Sequence, residues 1–477
     1  MNYTFRFLPL LLMLFITEGL VAQSLSELIS TSENPEAFWS VTVRNTDNEI
    51  LESLHSDKLI IPASNQKLLT TAAVLDEFGG EYQFETIIYG EGSLEGNNWK
   101  GDLIIKGSGD PSISGDLYEN NRYHVFEKLT GQLHEMGIER VTGRLLADVS
   151  LFDRQLYPKG WSWDDFSFYY GVQISPLSFN NNAVDLEVFA EGGIGETPRI
   201  DWFPDSTEYV EFDNQQLITH PDIDYDEYYR RALGANRIVL GSTLPKGYYE
   251  DESLSIHNPA LFFLDSFHEY AEQNGIKIEG GNAILEENSI IETPNVLAIH
   301  KSKPLSELVA WANKESDNFY LEMFTKKLSA TKSKMPGSFE DGILQVRTFL
   351  HELGIDTALV LMNDGSGMAS GNYTTTGIIS DVLTKMQVHD QFEAYIQSLA
   401  VSGVDGTLAH RTKGTEIYKK FRGKTGYVSG VRTLSGYLDT LSGDRIVVSI
   451  ATNHYAGKVK PVDSFHEQIL QYLYEKY

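Results

Sequence analysis

The chain has 477 residues, 41% of them hydrophobic and 12% aromatic, enough apolar material for two or three packed domains and too much for a disordered chain. With 38 Lys plus Arg against 67 Asp plus Glu, the formal net charge is -29, so the surface repels nucleic acid and anionic lipid, and any anionic substrate needs local positive groups. Cysteine is absent, which excludes disulfides, thiol catalysis and thiolate metal sites.

The N-terminus reads as a secretory leader over 1–22. Arg6 precedes an apolar run from Phe7 to Ile16 that is too short to span a bilayer, and small residues lead to Ala22 before Gln23. No later segment approaches the ~20 apolar residues of a membrane span, so no stable membrane insertion is expected. A short helix follows Gln23. Phe38–Val43 and Glu49–Leu54 read as strands joined by a turn at Asn45–Asn48. After Pro62, the stretch Ser64–Phe78 places Leu68, Leu69, Ala72, Ala73, Leu75 and Phe78 at helical spacing, and Gly79-Gly80 ends it.

From residue 85 to 296 the texture is β-rich, with short strands expected at Gly101–Ile105, Gly107–Pro111, Gly143–Asp148 and Val184–Val188 between Gly, Asn, Asp and Pro turns. Helical patterning returns at Leu305–Ala312 and Tyr320–Leu328, then near Gly342–Leu353, Thr376–Gln387 and Gln391–Leu399. The chain ends in three strands (Phe421–Val428, Val431–Thr440, Arg445–Thr452) and a helix, Pro461–Leu473. The expected organisation is one α/β domain split in sequence, 24–84 and 297–477, interrupted by an inserted β-rich region, 85–296, of one domain or two nested ones.

Three short motifs stand in order: Ser64-Asn65-Gln66-Lys67, Ser316-Asp317-Asn318 and Lys424-Thr425-Gly426. At i and i+3 on a helix, Ser64 and Lys67 share a face. An ordinary lysine is protonated at neutral pH, but burial and a nearby cation such as Lys424 lower its pKa and turn it into a base. Ser64 opens an apolar helix whose first-turn N–H groups are free to polarise a carbonyl, Ser316 sits in a helix–helix loop, and Gly426 is expected to leave room for substrate along its strand. Ser329-Ala330-Thr331-Lys332 is a second S-x-x-K, read as a solvated loop, and Ser32-Glu33-Asn34 and Ser178-Phe179-Asn180 are further S-x-N matches. The sequence has no H-E-x-x-H helix, no G-x-S-x-G elbow and no P-loop, so neither a metal nor a cofactor is expected.

S-x-x-K, S-D-N and K-T-G together are the motif set of penicillin-binding proteins and class A β-lactamases. In its wider context the chain resembles the class C low-molecular-mass penicillin-binding proteins, the D-Ala-D-Ala carboxypeptidase/endopeptidases of peptidase family S13. The resemblance is carried by Pro62–Thr70, Gly107–Pro111, Gly160-Trp161 through Tyr169-Tyr170, Asp364–Gly367, Ser402–Leu408, Lys424–Gly426 and Leu434–Tyr437. The 252 residues that separate Ser64 from Ser316 match the family's inserted domains and exceed the gap of ordinary β-lactamases.

The resemblance implies a penicillin-binding, β-lactamase-like transpeptidase fold: an antiparallel sheet flanked by helices, here interrupted by the β-rich insertion. It implies a periplasmic enzyme that cleaves peptidoglycan stem peptides through an acyl-enzyme and binds β-lactam antibiotics. Ser64 is then the nucleophile, Lys67 the general base, Ser316 the proton relay to the leaving amine, and Asn318 the residue that orients the substrate amide. Lys424 and Thr425 hold the terminal carboxylate, and the N–H groups of Ser64 and Tyr427 form the oxyanion hole. Asp165 resembles the inserted-domain acid that meets the substrate's amino group. The chain departs from the pattern at Tyr427, where Thr or Ser is usual, and at Ser370, where relatives often carry Arg. A serine β-lactamase and a non-catalytic cell-wall-binding protein are the alternative readings. No E-x-x-L-N-like segment follows Asn318, and a binding module needs no nucleophile, which disfavours each in turn.

Overall fold

A computed structural model describes residues 24–205, 207–286 and 295–477; the leader-like segment lies outside the described residues. Helix α1 (Leu25–Ser30) leads to strands β1 (Phe38–Arg44) and β2 (Ile50–Leu54), whose turn is closed by Asn45 Oδ1 accepting from the N–H groups of Asp47 and Glu49. A single 3-10 turn over Ala63–Asn65 then runs into α2 (Gln66–Phe78).

Strands β3 (Glu85–Glu95) and β4 (Asn98–Lys106) begin the inserted region. It continues through α3 (His124–Glu135), β5 (Arg140–Val141), β6 (Leu145–Asp148), β7 (Ala183–Phe189), β8 (Arg199–Phe203), β9 (Tyr249–Ser255), α4 (Pro259–Gln273) and β10 (Asn295–Lys301). β10 lies antiparallel beside β3, with Ile88 opposite Ala298. The chain therefore enters and leaves the insertion on neighbouring strands, so the parent sheet need not be disturbed.

The β-rich texture concealed two helices. α3 turns Val125, Phe126, Leu129 and Leu133 inward, and α4 turns Phe262, Phe263 and Phe267 inward; both faces join one continuous core with Ile88, Leu103, Leu145 and Val184. Residues 107–111 form a loop, with no strand. β7 pairs with β8 and β9, and smaller sheets within 211–245 add Ile218, Ile238, Leu240 and Leu244 to the same core.

After the insertion come α5 (Leu305–Lys314), α6 (Asn318–Ser333), α7 (Phe339–Glu352), α8 (Thr376–Met386) and α9 (Phe392–Gln397). Strands β11 (Phe421–Val428), β12 (Val431–Asp439) and β13 (Arg445–Asn453) and helix α10 (Val459–Lys476) close the chain. The central sheet runs 400–401, β11, β12, β13, β1, β2, antiparallel throughout, so the two ends of the sequence meet where Val41 faces Ile450. Its inner strands are buried on both faces because α2 and α5–α9 cover one side and α1 and α10 the other, which is why they read as apolar runs rather than alternating ones. Among the described residues, no helix is long and apolar enough to cross a membrane.

The second S-x-x-K is not in a loop. Ser329 through Lys332 lie on the last turns of α6, where Ser329 is buried. The hydroxyl and threonine side chains there hide the helical pattern from a reading by composition.

Candidate active site

The turn before α2 is set by what presses on it from either side. Ala63 takes φ 47°, a left-handed conformation that a side chain normally avoids. Two glycines let the turn sit there. A Cβ on Gly367 would lie 2.0 Å from the Ala63 carbonyl oxygen, and one on Gly426 would lie 2.9 Å from the Ser64 nitrogen and 2.2 Å from Thr433 Oγ1. Gly426 therefore makes room for the Ser64 turn itself. The Thr433 hydroxyl donates to the Pro62 carbonyl at 2.8 Å, and the Asn65 amide donates to the Lys424 carbonyl at 2.7 Å, so α2 and β11 are pinned together at this point.

Lys67 is fully buried one turn into α2. Its ammonium donates to Ser64 Oγ at 3.0 Å, Asn318 Oδ1 at 2.7 Å and the Ser366 carbonyl at 2.8 Å. All three acceptors are neutral, so nothing repays the lost hydration with a full charge. Burial pulls the amine down to about 8, against the upward pull of Asp364, Glu322 and Asp317 at longer range.

Lys424 is also buried and donates to Ser316 Oγ at 2.8 Å and to the Thr425 carbonyl at 2.9 Å. Burial, then the charges of Lys67 and Arg432, hold it well below the ordinary lysine value. Burial is thus the first cause on both lysines, and the repulsion between the two charges belongs to the pair rather than to either one.

Ser316 takes φ 63° in the loop between α5 and α6, which Asp317 stabilises by capping α6 through Tyr320 N. Asn318 bridges inward, its oxygen on Lys67 and its NH2 donating to the Tyr170 carbonyl at 3.1 Å. Ser64, Lys67 and Asn318 thus form one hydrogen-bonded group and Ser316 and Lys424 another, with Ser316 two residues before Asn318 and Lys67 acting electrostatically on Lys424. On β11, Thr425 donates to Thr407 Oγ1 at 2.8 Å, Gly426 is buried and Tyr427 is exposed. Among the described residues, Asp165 makes no side-chain hydrogen bond to this cluster, though its charge acts on Tyr170, whose carbonyl receives Asn318. It opens a 3-10 turn just before Tyr169–Gly171 and is half-buried, with its carboxyl pushed up by burial and then by Asp164.

Two acids were missed as positioning residues. Asp364 accepts from the indole of Trp161 at 2.9 Å, from Gly367 N and the Asn372 amide, each at 2.8 Å, and from Ala369 N at 2.6 Å. Glu322 accepts from Gly365 N at 3.0 Å and from Ser366 N at 2.8 Å, and burial followed by Asp364 pushes it up to about 8. Together they hold the Asp364–Gly367 loop whose Ser366 carbonyl receives Lys67. A signal for Glu322 was present: it is a lone carboxylate in the apolar stretch of α6, one turn after Asn318.

This arrangement can present a serine oxygen to a carbonyl carbon with a neutral amine in hydrogen-bond range as base. The comparisons with known proteins agree with that chemistry. The family model described as "D-Ala-D-Ala carboxypeptidase 3 (S13) family" matches residues 21–470. A D-alanyl-D-alanine carboxypeptidase of Actinomadura sp. (strain R39) is 29% identical over 429 residues, covering 87% of this chain and 78% of its own. The D-alanyl-D-alanine carboxypeptidase DacB of Haemophilus influenzae is 25% identical over 439 residues, covering 90% and 89%. The crystal structure of penicillin binding protein 4 from Haemophilus influenzae superposes with a TM-score of 0.82 at 24% identity, over 94% of this chain and 99% of that one.

Proposed function

We propose, for a chain that belongs to the D-Ala-D-Ala carboxypeptidase 3 (S13) family, that Ser64 and Lys67 cleave peptidoglycan stem peptides at the terminal D-Ala-D-Ala bond. By family the chain is a serine-type D-Ala-D-Ala carboxypeptidase. The observation that carries the residue assignment is the 3.0 Å contact between Lys67 Nζ and Ser64 Oγ, made by a buried amine whose other acceptors are neutral.

With its pKa brought to about 8, about a tenth of Lys67 is neutral at pH 7. The neutral amine takes the Ser64 proton as Oγ attacks the carbonyl of the penultimate D-Ala. The N–H groups of Ser64 and Tyr427 receive the developing oxyanion. As the tetrahedral intermediate collapses, the C–N bond breaks and the proton passes through Ser316 to the leaving D-Ala amine. Lys424, at 2.8 Å from Ser316 Oγ, polarises that hydroxyl, and with Thr425 it holds the substrate's terminal carboxylate. Water then attacks the acyl-enzyme, with Lys67 again accepting a proton, and the shortened peptide leaves as its carboxylate. A cross-link presents the same D-Ala carbonyl with a different amine as leaving group, so DD-endopeptidase activity belongs to the same reading. Asn318, which bridges Lys67 and the Tyr170 carbonyl, holds the base in place and borders the substrate amide. Asp165 is assigned to the free amino group of the stem peptide. A leader over residues 1–22 supports export, so the enzyme is placed in the periplasm, where peptidoglycan lies.

The test has two parts on one preparation. Benzylpenicillin should form a stoichiometric adduct that maps to Ser64 by intact mass and peptide mass analysis and that leaves slowly. Defined muropeptides should lose terminal D-Ala and be cut at cross-links, with Asp165→Asn slowing peptides that carry a free amine about two- to fivefold and sparing the penicillin reaction. An adduct on Ser329, or rapid turnover of the penicillin with intact muropeptides, would overturn the assignment.

A further inference from the structure

Outside the catalytic cluster, α3 places His124, Lys128 and Gln132 one above another on a single face. That face looks onto the segment that carries the chain from β10 into α5. With Gln83, Tyr118 and the stretch from Ile299 to Pro304, these residues line an open pocket of about 380 Å³. Its walls are already built. Gln132 exchanges two hydrogen bonds with the Ile299 backbone, at 2.9 and 3.0 Å, and Gln83 donates to the Ser302 carbonyl at 2.6 Å. The His124 ring stacks on Tyr118 at 4.3 Å, and the Tyr118 hydroxyl meets Nε2 of the buried His300 at 3.4 Å.

The charge of the pocket is opposite to that of the molecule. Lys301 pairs with Glu85 at 2.8 Å. Among the described residues, neither Lys128 nor Lys303 has a carboxylate within ion-pair distance, and Lys303 lies over the Tyr118 ring at 6.0 Å. Both histidines are held below their ordinary value by burial first; behind it Lys128 acts on His124, and His124 and then Lys128 act on His300. Glu127 is the acid that acts on His124 from α3, and Glu307 acts on Tyr118 from α5. On a chain of formal charge -29, two unpaired lysines over a concave wall concentrate positive potential where an anion can reach it. The volume suits a small organic ligand rather than a lone ion.

We propose that this pocket is a second, non-catalytic site for the free carboxylates of a peptidoglycan stem peptide, which holds a neighbouring strand of the polymer while Ser64 works on another. The inference rests on the peptidoglycan reading above. Inorganic phosphate shares the oxyanion chemistry and is the other source of a ligand for Lys128 and Lys303.

The experiment uses the full mature chain acylated with benzylpenicillin, so that the catalytic cleft is closed. Calorimetric titration compares a stem tetrapeptide, the same peptide with its carboxylates amidated, and inorganic phosphate. The tetrapeptide should bind, amidation should abolish binding, and phosphate should compete only weakly. In the double variant Lys128→Gln/Lys303→Gln, binding should weaken about fivefold. A control with the same charge change at the exposed residues Lys458→Gln/Lys460→Gln on the opposite side of the central sheet should leave it unchanged. Equal loss in both double variants, no binding of the tetrapeptide to wild type, or phosphate binding as tightly as the peptide would overturn the proposal. Failure to form the penicillin adduct would instead count against the peptidoglycan reading, and a normal adduct on the Lys128/Lys303 variant shows that it is folded.

Discussion

The chain carries the S-x-x-K pattern twice, at 64–67 and at 329–332, and in both places serine and lysine share one helical face. What lies opposite them differs. Lys67 is buried among neutral acceptors, and burial lowers it to about 8. Lys332 is partly exposed, pairs with Glu77 at 2.8 Å and is raised by that bond. Ser64 is reachable and bonded to its lysine, whereas Ser329 is buried and accepts from Ser338 N at 3.0 Å. A third lysine sharpens the point. Lys326 is as buried as Lys67 and burial lowers it too, but Asp153 at 2.7 Å pulls in the opposite direction. Burial lowers both lysines, and what sets Lys67 apart is a serine hydroxyl in contact where Lys326 has a carboxylate.

The largest expected effect separates the two motifs outright. Lys67→Ala should slow acylation by benzylpenicillin by about 10³- to 10⁴-fold, as loss of a general base does, while Lys332→Ala leaves it unchanged. Because the reactive form is the neutral amine, acylation by wild type should rise with pH through a midpoint near 8 and fall about tenfold per pH unit below it. A midpoint above 10, in quenched acylation time courses read by intact mass, would mean that burial does not tune Lys67.

Next in size is Gly426→Ala. Its new Cβ would press on Ser64 N and Thr433 Oγ1, and overpacking of this kind costs about 1–3 kcal/mol, here at the nucleophile turn. Acylation should fall about 100-fold, in line with that strain. Gly443→Ala, in a hairpin turn with φ 93° and open space around it, should lower thermal stability and spare acylation. Equal acylation in the two variants would remove the wedge between Gly426 and Ser64 from the account.

The smallest effect is Ser329→Ala. Acylation should stay within about twofold of wild type, and stability should fall by about 1–3 kcal/mol because Ser338 N loses its acceptor, as chemical denaturation would show. A large loss of acylation with unchanged stability would give the second motif a catalytic share.

Local patterns carried much of this protein. The i, i+3 pairing of Ser64 with Lys67, the hairpins of β11–β13 and the helices α5–α9 follow from residues close in sequence, where periodicity and turn chemistry act directly. The order of the three motifs brought the family with it. The β-rich texture hid α3 and α4, because Gly, Asn and Asp turns around them outweighed two amphipathic faces.

What the tertiary structure alone decided are the contacts across long stretches of chain. Lys424 reaches Ser316 over 108 positions, and Lys67 reaches Ser366 over 299. Asp364 and Glu322 support the base through backbone N–H groups, which leave no trace in side-chain spacing. Gly426 is required by the neighbouring turn rather than by its own strand, and the basic pocket draws on residues 83, 118–132 and 299–304. Such features depend on how sheets and helices dock against one another, and docking depends on the shapes of whole surfaces, which no local run of residues encodes.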